Sequence, residues 1–287
     1  MRLLVIGDRN SYECRRLTEE GRRLKHRVTV AGLQDLFFEV PGRLVGGQIR
    51  LGRRPIDENF DTVYIRQLFP YVSEALFLAE WADSRGMRVI DRQLATGNYV
   101  QSKIYASWKL AENGLPVIPG FQAMRLDLAK RRLAKTEKPA VAKGIHGSQG
   151  KYVFRLDNPK KEIDGLNDDL IGLFTFQDLL KIDCEYRVLV IGGKHFGAVK
   201  KTAPTGDFRR NMSLGARAET AELPTELKRM CVRAAKVLGH EFSGIDLAVS
   251  RRRPYVIEVN RCPGFSGFEQ ATGKNVARRF LETAAGK

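Results

Sequence analysis

The sequence predicts a small parallel α/β region at the N-terminus, followed by a larger α+β region. Over the first 96 residues, short apolar strands alternate with helical segments, which is typical of a parallel sheet with crossover helices. After residue 170, strands follow one another with few helices between them. The 287 residues, 43% of them hydrophobic, are enough to form a sizeable core divided among two or three lobes.

The elements of the N-terminal region follow in order. Four short apolar runs predict strands: MRLLVIG, HRVTVAG, DTVYIRQ and MRVIDR. Helices are predicted over residues 12–25 and 71–86, and the Gly- and Arg-rich residues 41–55 predict a surface hairpin or loop. The first strand runs into LLVIGDRNS, which lacks the GxGxxG spacing, so we do not expect a dinucleotide site there.

The second region opens with a helix predicted over residues 97–114 and ended by Gly114. Later strands are predicted at PVIPGF, KPAVAK, FTFQDLL, EYRVLVIGG, KHFGAVKK, GIDLAV and YVIEVN. Later helices are predicted at DLAKRRLAKTEK, TELKRMCVRAAKVLG and GKNVARRFLETAAGK.

The charge balance and the cysteines limit the class to which the protein can belong. A net charge of +16 attracts polyanions such as nucleic acid, ribosomes, acidic peptides or nucleotides, although a well-solvated surface explains it equally well. The four cysteines are scattered without a CxxC pair, which argues against a disulfide framework or a zinc site. With no signal-peptide pattern and no apolar run of about 20 residues, we expect a cytoplasmic protein that does not enter a membrane.

Two strands near the C-terminus carry acids in otherwise apolar runs. If SRRRP is the turn of a hairpin centred near Arg252, Asp246 lies opposite Glu258. Alternation along a strand places Asn260 on the face of Glu258, together with Val256. Two carboxylates and an amide oxygen suit Mg²⁺, which would offset the repulsion between the acids. The alternative is a pair of solvated acids on an exposed hairpin.

A glycine-rich stretch, KGIHGSQGK, follows the strand PAVAK and indicates a phosphate-binding loop. Glycines recur there every three residues, which lets backbone N–H groups approach phosphate oxygens. The Walker A spacing is absent. Lys143, at the end of the strand, can reach a phosphate as a point charge, or it can extend to solvent.

Three further sites fit a nucleotide, each with a simpler alternative. FQDLL could bind adenine through its backbone, or it could be an ordinary buried strand. Glu185 begins an alternating strand and suits either ribose hydroxyls or solvent. Arg209, in TGDFRRN, could stabilise a transferring phosphoryl group, or it could belong to a basic loop.

Taken in order, these motifs resemble the ATP-grasp superfamily and, within it, the RimK-type amino-acid ligases. The resemblance covers roughly residues 97–280, and the N-terminal region matches only in its strand–helix pattern. Five stretches carry it: SKIYASWKLAENGLPVIPGF, AVAKGIHGSQGKYVF, FQDLLKIDCEYRVLVIGGK, KKTAPTGDFRRN and GIDLAV with YVIEVNRCPGFSGFEQATG.

The resemblance implies an ATP-grasp fold preceded by a small parallel α/β domain. Its regions would be residues 1–96, a central subdomain over 97–174 with the phosphate loop, and a C-terminal subdomain over 175–287. Motif positions imply ATP contacts at Lys103, Lys143, Gly147, Ser148, Gln149, Gly150, Gln177, Asp178, Leu179, Glu185 and Asn211. They imply metal ligands at Asp246, Glu258 and Asn260 and catalytic roles for Lys143 and Arg209. Two Mg²⁺ ions are expected, with Mn²⁺ as an alternative.

The activity implied is ligation of a carboxylate to an amine through an acylphosphate, with release of ADP and phosphate. The added group would be an amino acid such as glutamate, and the acceptor a peptide, a protein tail or a small molecule. The positive surface favours an acidic acceptor or one bound to nucleic acid, and relatives suggest a homo-oligomer. Two alternatives remain: a basic ATP- or nucleic-acid-binding protein without catalysis, and a phosphotransferase. Asp178 and Leu179 depart from the residues that relatives favour at the adenine hinge.

Overall fold

The structure is a computed structural model that describes residues 1–40, 47–100, 102–136, 138–144, 153–163, 172–202 and 217–286. Nothing in these ranges forms a helix long and apolar enough to cross a membrane. All four cysteines are free thiols in this structure.

The N-terminal lobe is built on a parallel sheet, as predicted. Its elements are β1 Arg2–Ile6, α1 Tyr12–Arg23, β2 Arg27–Ala31, β3 Leu36–Glu39, β4 Gln48–Leu51, β5 Arg54–Pro55, α2 Ile56–Asn59, β6 Thr62–Ile65, α3 Val72–Ser84 and β7 Arg88–Val89. The parallel sheet has the order β2–β1–β6–β7. Strands β3, β4 and β5 form a small antiparallel sheet where the sequence predicts a hairpin or loop.

The continuous apolar run of β1 is explained by burial of both faces of the sheet. Leu4 and Ile6 belong to one hydrophobic cluster, and Leu3 and Val5 belong to a second one on the opposite face. That second cluster also contains residues of the C-terminal helix, among them Phe280. The N-terminal sheet and the C-terminal helix therefore share a core.

The central region contains a second, antiparallel sheet. Its elements are α4 Lys103–Glu112, β8 Gly120–Gln122, α5 Leu126–Leu133, β9 Ala140–Gly144, β10 Val153–Leu156, α6 Pro159–Glu162 and β11 Phe174–Asp178. The sheet order is β10–β9–β11–β8. Helix α4 begins at Lys103, later than predicted, because the Ser102 hydroxyl accepts a bond from the N–H of Tyr105 and caps the helix.

The C-terminal region holds a five-stranded antiparallel sheet. Its elements are β12 Cys184–Ile191, β13 Lys194–Thr202, β14 Arg217–Ala221, α7 Thr225–Val237, β15 Phe242–Ser250, β16 Arg253–Arg261, α8 Ser266–Thr272 and α9 Val276–Ala284. The sheet order is β14–β13–β12–β15–β16. The sequence analysis predicts neither β14 nor α8.

The two faces of this sheet differ in chemistry. Val188, Val190, Ile245 and Leu247 on one face pack with Ala234 and its neighbours in α7. Strict alternation then places the charged residues of β12 and β15 on the other face. That charged face carries the candidate site.

Candidate active site

The β15–β16 hairpin places Asp246 opposite Glu258, as the sequence predicts. The turn itself is tighter than predicted, since Ser250 pairs with Arg253 and only two residues connect the strands. Both turn residues, Arg251 and Arg252, have positive φ angles, as two-residue hairpin turns require. An irregularity between Asp246 and Leu247 then shifts the register by one residue and restores the predicted pairing.

This β-bulge corrects one detail of the prediction. Val256 does not share a face with Glu258 and Asn260, because it pairs with Leu247 and lies in the apolar cluster under α7. Val259 packs against that same cluster. Because β16 has one extra residue at the bulge, Val256 and Val259 face the same apolar cluster although they are three residues apart. Glu258 therefore faces away from that cluster.

Asp246 is buried and held by two cations. Arg187 donates through Nε to Oδ1 at 2.8 Å and through Nη2 to Oδ2 at 2.9 Å, while Lys201 donates to Oδ1 at 2.8 Å. Burial alone would raise the pKa of Asp246, but the attraction of Arg187 and Lys201 lowers it below the usual value. Asp246 is therefore ionised in the folded protein.

Glu185 completes a cluster of four charged residues, because its carboxylate forms an ion pair with Lys201. Glu185, Lys201 and Asp246 are buried, and Arg187 is half-buried. Two acids thus face two cations, and the cluster sums to zero charge. The compensation that the sequence analysis assigned to a metal ion is supplied in this structure by protein side chains. Glu185 and Asp246 are also absent from the described residues that line the cavity beside them.

Glu258 faces that cavity and contacts a different cation. The ammonium group of Lys103, the first residue of α4, lies 2.6 Å from Oε1 of Glu258. The side chains of both residues are partly exposed. Lys143 lies in the same electrostatic environment: burial lowers its pKa, Lys103 lowers it further, and the attraction of Glu258 opposes the shift.

One cavity of about 640 Å³ brings together residues from all three regions. Five of the predicted site residues line it: Lys103, Lys143, Gln177, Glu258 and Asn260. Asp178 and Leu179 are not among the described lining residues. The predicted residues Gly147, Ser148, Gln149, Gly150, Arg209 and Asn211 lie outside the residues that the structure describes.

The wall formed by the central sheet suits a polar ligand. Lys143 of β9 pairs with Thr175 of β11, and Gln177 follows two residues later on the same face. Thr175 Oγ1 and Gln177 Oε1 are buried and have no hydrogen-bond partner within the described residues. Since buried polar atoms are rarely left unpaired, both atoms fit contacts to a ligand bound in the cavity.

The backbone of the predicted hinge is partly engaged. The N–H of Asp178 donates to the Pro119 carbonyl, and the N–H of Leu179 donates to the Pro139 carbonyl, both at 3.0 Å. These two N–H groups are therefore committed to the protein. A hydrogen bond from an adenine amino group to this segment would use a carbonyl oxygen.

The residues present fit a hard divalent cation. Glu258 offers a carboxylate to the cavity and Asn260 an amide oxygen, an all-oxygen set of the kind that Mg²⁺ prefers. Among the described residues, Asp246 Oδ2 accepts one hydrogen bond, from Arg187, so a lone pair remains with which Asp246 could serve as a third metal ligand. Within the described ranges no three His, Cys, Asp or Glu residues are placed to hold a metal, so Asn260 would be needed to complete the set.

Sequence analysis missed two residues of this face, Arg187 and Lys201. Both carried a usable indication. Arg187 lies two residues after Glu185 in an apolar strand, and Lys201 lies in β13, the strand that follows. The reasoning that singled out Asp246, a charge inside a buried strand, applies to them equally.

Comparisons with known proteins point in one direction. A model of the RimK-like ATP-grasp domain matches residues 109–284. A probable alpha-L-glutamate ligase of Parasynechococcus marenigrum (strain WH8102) is 28% identical over 97% of this chain, which spans 60% of that relative's length. A second probable alpha-L-glutamate ligase, from Stutzerimonas stutzeri (strain A1501), is 28% identical over 94% of this chain and 90% of its own.

A solved structure agrees with the fold. The ATP-grasp ligase PsnB, complexed with a phosphomimetic variant of a minimal precursor, Mg and ADP, superposes with a TM-score of 0.73 at 20% identity. The similarity covers 99% of this chain and 96% of PsnB. At this level of identity the likeness supports the fold alone.

Proposed function

Because this chain belongs to the RimK-like ATP-grasp family, we propose that it is an ATP-dependent ligase that joins a carboxylate to an amine. One observation carries the proposal. Lys103 and Lys143 line one cavity together with Glu258 and Asn260, which follow more than 100 residues later, and the walls of this cavity come from both large antiparallel sheets. Cations for phosphates and oxygen ligands for a metal are thus available in the same space.

The proposed reaction has two steps. A carboxylate oxygen attacks the γ-phosphorus of ATP, the bond from the γ-phosphorus to the bridging oxygen breaks, and ADP leaves with that oxygen. The amine nitrogen then attacks the acyl carbon, the carbon–oxygen bond to phosphate breaks, and phosphate leaves. The departing phosphate can take the proton that the amine loses. No side-chain nucleophile is needed for either step.

The side chains have separate proposed roles. Lys103 and Lys143 bind phosphate oxygens. Gln177 and Thr175 form hydrogen bonds to the nucleotide through the buried side-chain oxygens that have no partner within the described residues. Glu258 and Asn260, with Asp246, would hold magnesium, which would neutralise charge that develops on the phosphates. Arg187 and Lys201 keep Asp246 ionised and fixed in position. The roles of Arg209 and Asn211 at the phosphates remain predictions.

The substrates are proposed from the relatives. Two relatives are named probable alpha-L-glutamate ligases, and another structure of PsnB is a complex with the precursor peptide PsnA2. We therefore propose addition of an amino acid such as glutamate to a peptide, a protein tail or a small molecule. The net charge of +16 favours an acidic acceptor or one associated with nucleic acid. A homo-oligomer is proposed as well.

The test is ADP release with Mg²⁺ across single amino acids, pairs of amino acids and short acidic peptides, with mass spectrometry of every active mixture. A ligase gives ADP release that requires an amine and a product lighter than its two precursors together by one water. A phosphotransferase gives a product that gains a phosphoryl group and needs no amine. Binding of MgATP without ADP release in any mixture, including peptides, supports the non-catalytic alternative.

A further inference from the structure

Arg66 is a cation of the cavity to which the proposed reaction gives no role. It follows β6 directly, at the carboxyl end of the parallel sheet, and it lines the cavity together with Lys103 and Glu258. Ligands of parallel α/β sheets characteristically bind beyond the carboxyl ends of the strands. Arg66 thus brings the N-terminal lobe to the same cavity as the proposed ATP site.

The described contacts of Arg66 are all with neutral groups. Its Nη1 donates to the Tyr64 hydroxyl and its Nη2 to the Pro263 carbonyl, both at 3.3 Å. Among the described residues it forms no ion pair, although the charge of Glu13 acts on it from a greater distance. Oε1 of Glu13 accepts the N–H of Phe265 instead. A guanidinium carries five N–H donors, so these hydrogen bonds leave most of its donors available as far as the described part of the chain is concerned.

Other internal arginines of this chain behave differently. Arg16 pairs with Glu269, Arg187 with Asp246, and Arg261 with Asp91. Each of these pairings neutralises the charge in place, as expected for a partly or fully buried guanidinium. Arg66 has no such ion pair within the described ranges, which is the arrangement expected of a residue at a cavity wall whose partner is a ligand.

The surroundings of Arg66 define the chemistry of that ligand. Leu68, Val72 and Tyr99 add apolar surface to the same cavity, and Arg261, already paired with Asp91, lies against the Tyr99 ring. Pro263, which Arg66 contacts, is three residues after Asn260, so the two are at most about 10 Å apart along the chain. The space suits a small molecule with an aliphatic body and a carboxylate.

We infer that Arg66 binds a substrate carboxylate that is not phosphorylated, and so selects amino acids or peptides that bear one. The inference rests on the proposed function. The carboxylate has two potential sources, the α-carboxylate or the side-chain carboxylate of an acidic amino acid. Arginine suits either one, because its planar fork can donate two parallel hydrogen bonds to one carboxylate.

The experiment measures binding of L-glutamate to the protein saturated with MgADP, by ligand-observed NMR titration. Arg66→Gln should weaken binding by about 10- to 100-fold, the usual loss for a charge-assisted contact. Arg66→Lys should fall between that variant and the wild type. Arg15→Gln, which removes an exposed arginine of α1, should change affinity less than about twofold. Affinity for MgADP should be the same in all four proteins.

Two amides identify the group that is bound. L-isoglutamine lacks the α-carboxylate, so it should bind wild type and Arg66→Gln equally if Arg66 binds that group. L-glutamine lacks the side-chain carboxylate, so it should bind the two proteins equally if Arg66 binds the side chain. Equal binding of L-glutamate to wild type and Arg66→Gln would overturn the assignment. So would failure of L-glutamate to bind a wild-type protein that binds MgADP. Failure of MgADP itself to bind would instead refute the proposed function.

Discussion

Lys103 Nζ lies 2.6 Å from Oε1 of Glu258, so a predicted phosphate-binding lysine contacts a predicted metal ligand. The same carboxylate can therefore meet either the lysine or a divalent cation. Because like charges repel at this distance, a metal ion on Glu258 and an ammonium in its present position oppose each other. Phosphates of a nucleotide would resolve the conflict by giving Lys103 another anion.

Replacing Lys103 by Met should strengthen metal binding in the absence of nucleotide. We expect the affinity for Mn²⁺ alone, measured by electron paramagnetic resonance, to rise about 10-fold, while the affinity for ATP falls. Lys109→Met is the matched control, since Lys109 also lines the cavity from α4 but lies over the Tyr105 ring. Unchanged Mn²⁺ affinity in Lys103→Met would show that the ion pair does not compete with a metal.

Replacing Asp246 by Asn should destabilise the fold strongly. The change leaves buried Lys201 and half-buried Arg187 with one carboxylate, Glu185, instead of two. We expect a loss of about 3–5 kcal/mol in the free energy of unfolding, measured with urea. Asp157→Asn removes an exposed partner of Arg155 and should cost less than about 1 kcal/mol. Equal losses in the two variants would contradict the buried cluster.

Nucleotide affinity should depend on pH through Lys143. Burial lowers the pKa of Lys143, so the ammonium loses its proton at a lower pH than an exposed lysine does. The affinity for ADP, measured by calorimetry from pH 7 to pH 10, should therefore fall as the pH rises. Lys143→Arg keeps a permanent charge and should give a flatter profile. Parallel profiles for the two proteins would remove Lys143 from the phosphate site.

His240 should make the protein less stable in mild acid. Burial, with smaller contributions from Arg261 and Lys109, lowers the pKa of His240 to about 3. Because the unfolded state binds a proton near pH 6.5 and the folded state does not, stability is lost as the pH falls below 6.5. Between pH 7 and pH 5 the wild type should lose about 1–2 kcal/mol more than His240→Asn in urea unfolding. An equal loss of stability in both proteins would show that a group other than His240 takes up the proton.

Much of the fold is predictable from the sequence, because strands and helices leave periodic patterns of their own. The four strands of the parallel sheet and the C-terminal hairpin appear where predicted, and so does the pairing of Asp246 with Glu258. The β-bulge that produces this pairing has no sequence pattern of its own. The sequence analysis placed the centre of the turn at Arg252, whereas the centre lies between Arg251 and Arg252. This error and the missing bulge shift the register by equal amounts in opposite directions, so the predicted pairing was correct without the bulge.

The site is less predictable, because its charges are balanced by residues distant in sequence. Arg187 and Lys201 reach Asp246 only through the strand order of the sheet, which no local pattern contains. For the same reason Arg66, 37 residues before Lys103, gives no local indication that it lines the same cavity. Helix α8 is short and follows the CPG turn without a regular apolar stripe, so periodicity does not identify it.

The most direct test of the central claim, that Glu258 and Asn260 bind magnesium at the phosphates of ATP, is ADP release by Glu258→Gln and Asn260→Ala. Each is compared with wild type and Lys109→Met in the most active substrate mixture. We predict that both site variants lose at least about 100-fold in rate while their far-ultraviolet circular dichroism and melting temperature stay close to wild type. Turnover that survives in both folded variants would contradict the assignment of the metal site.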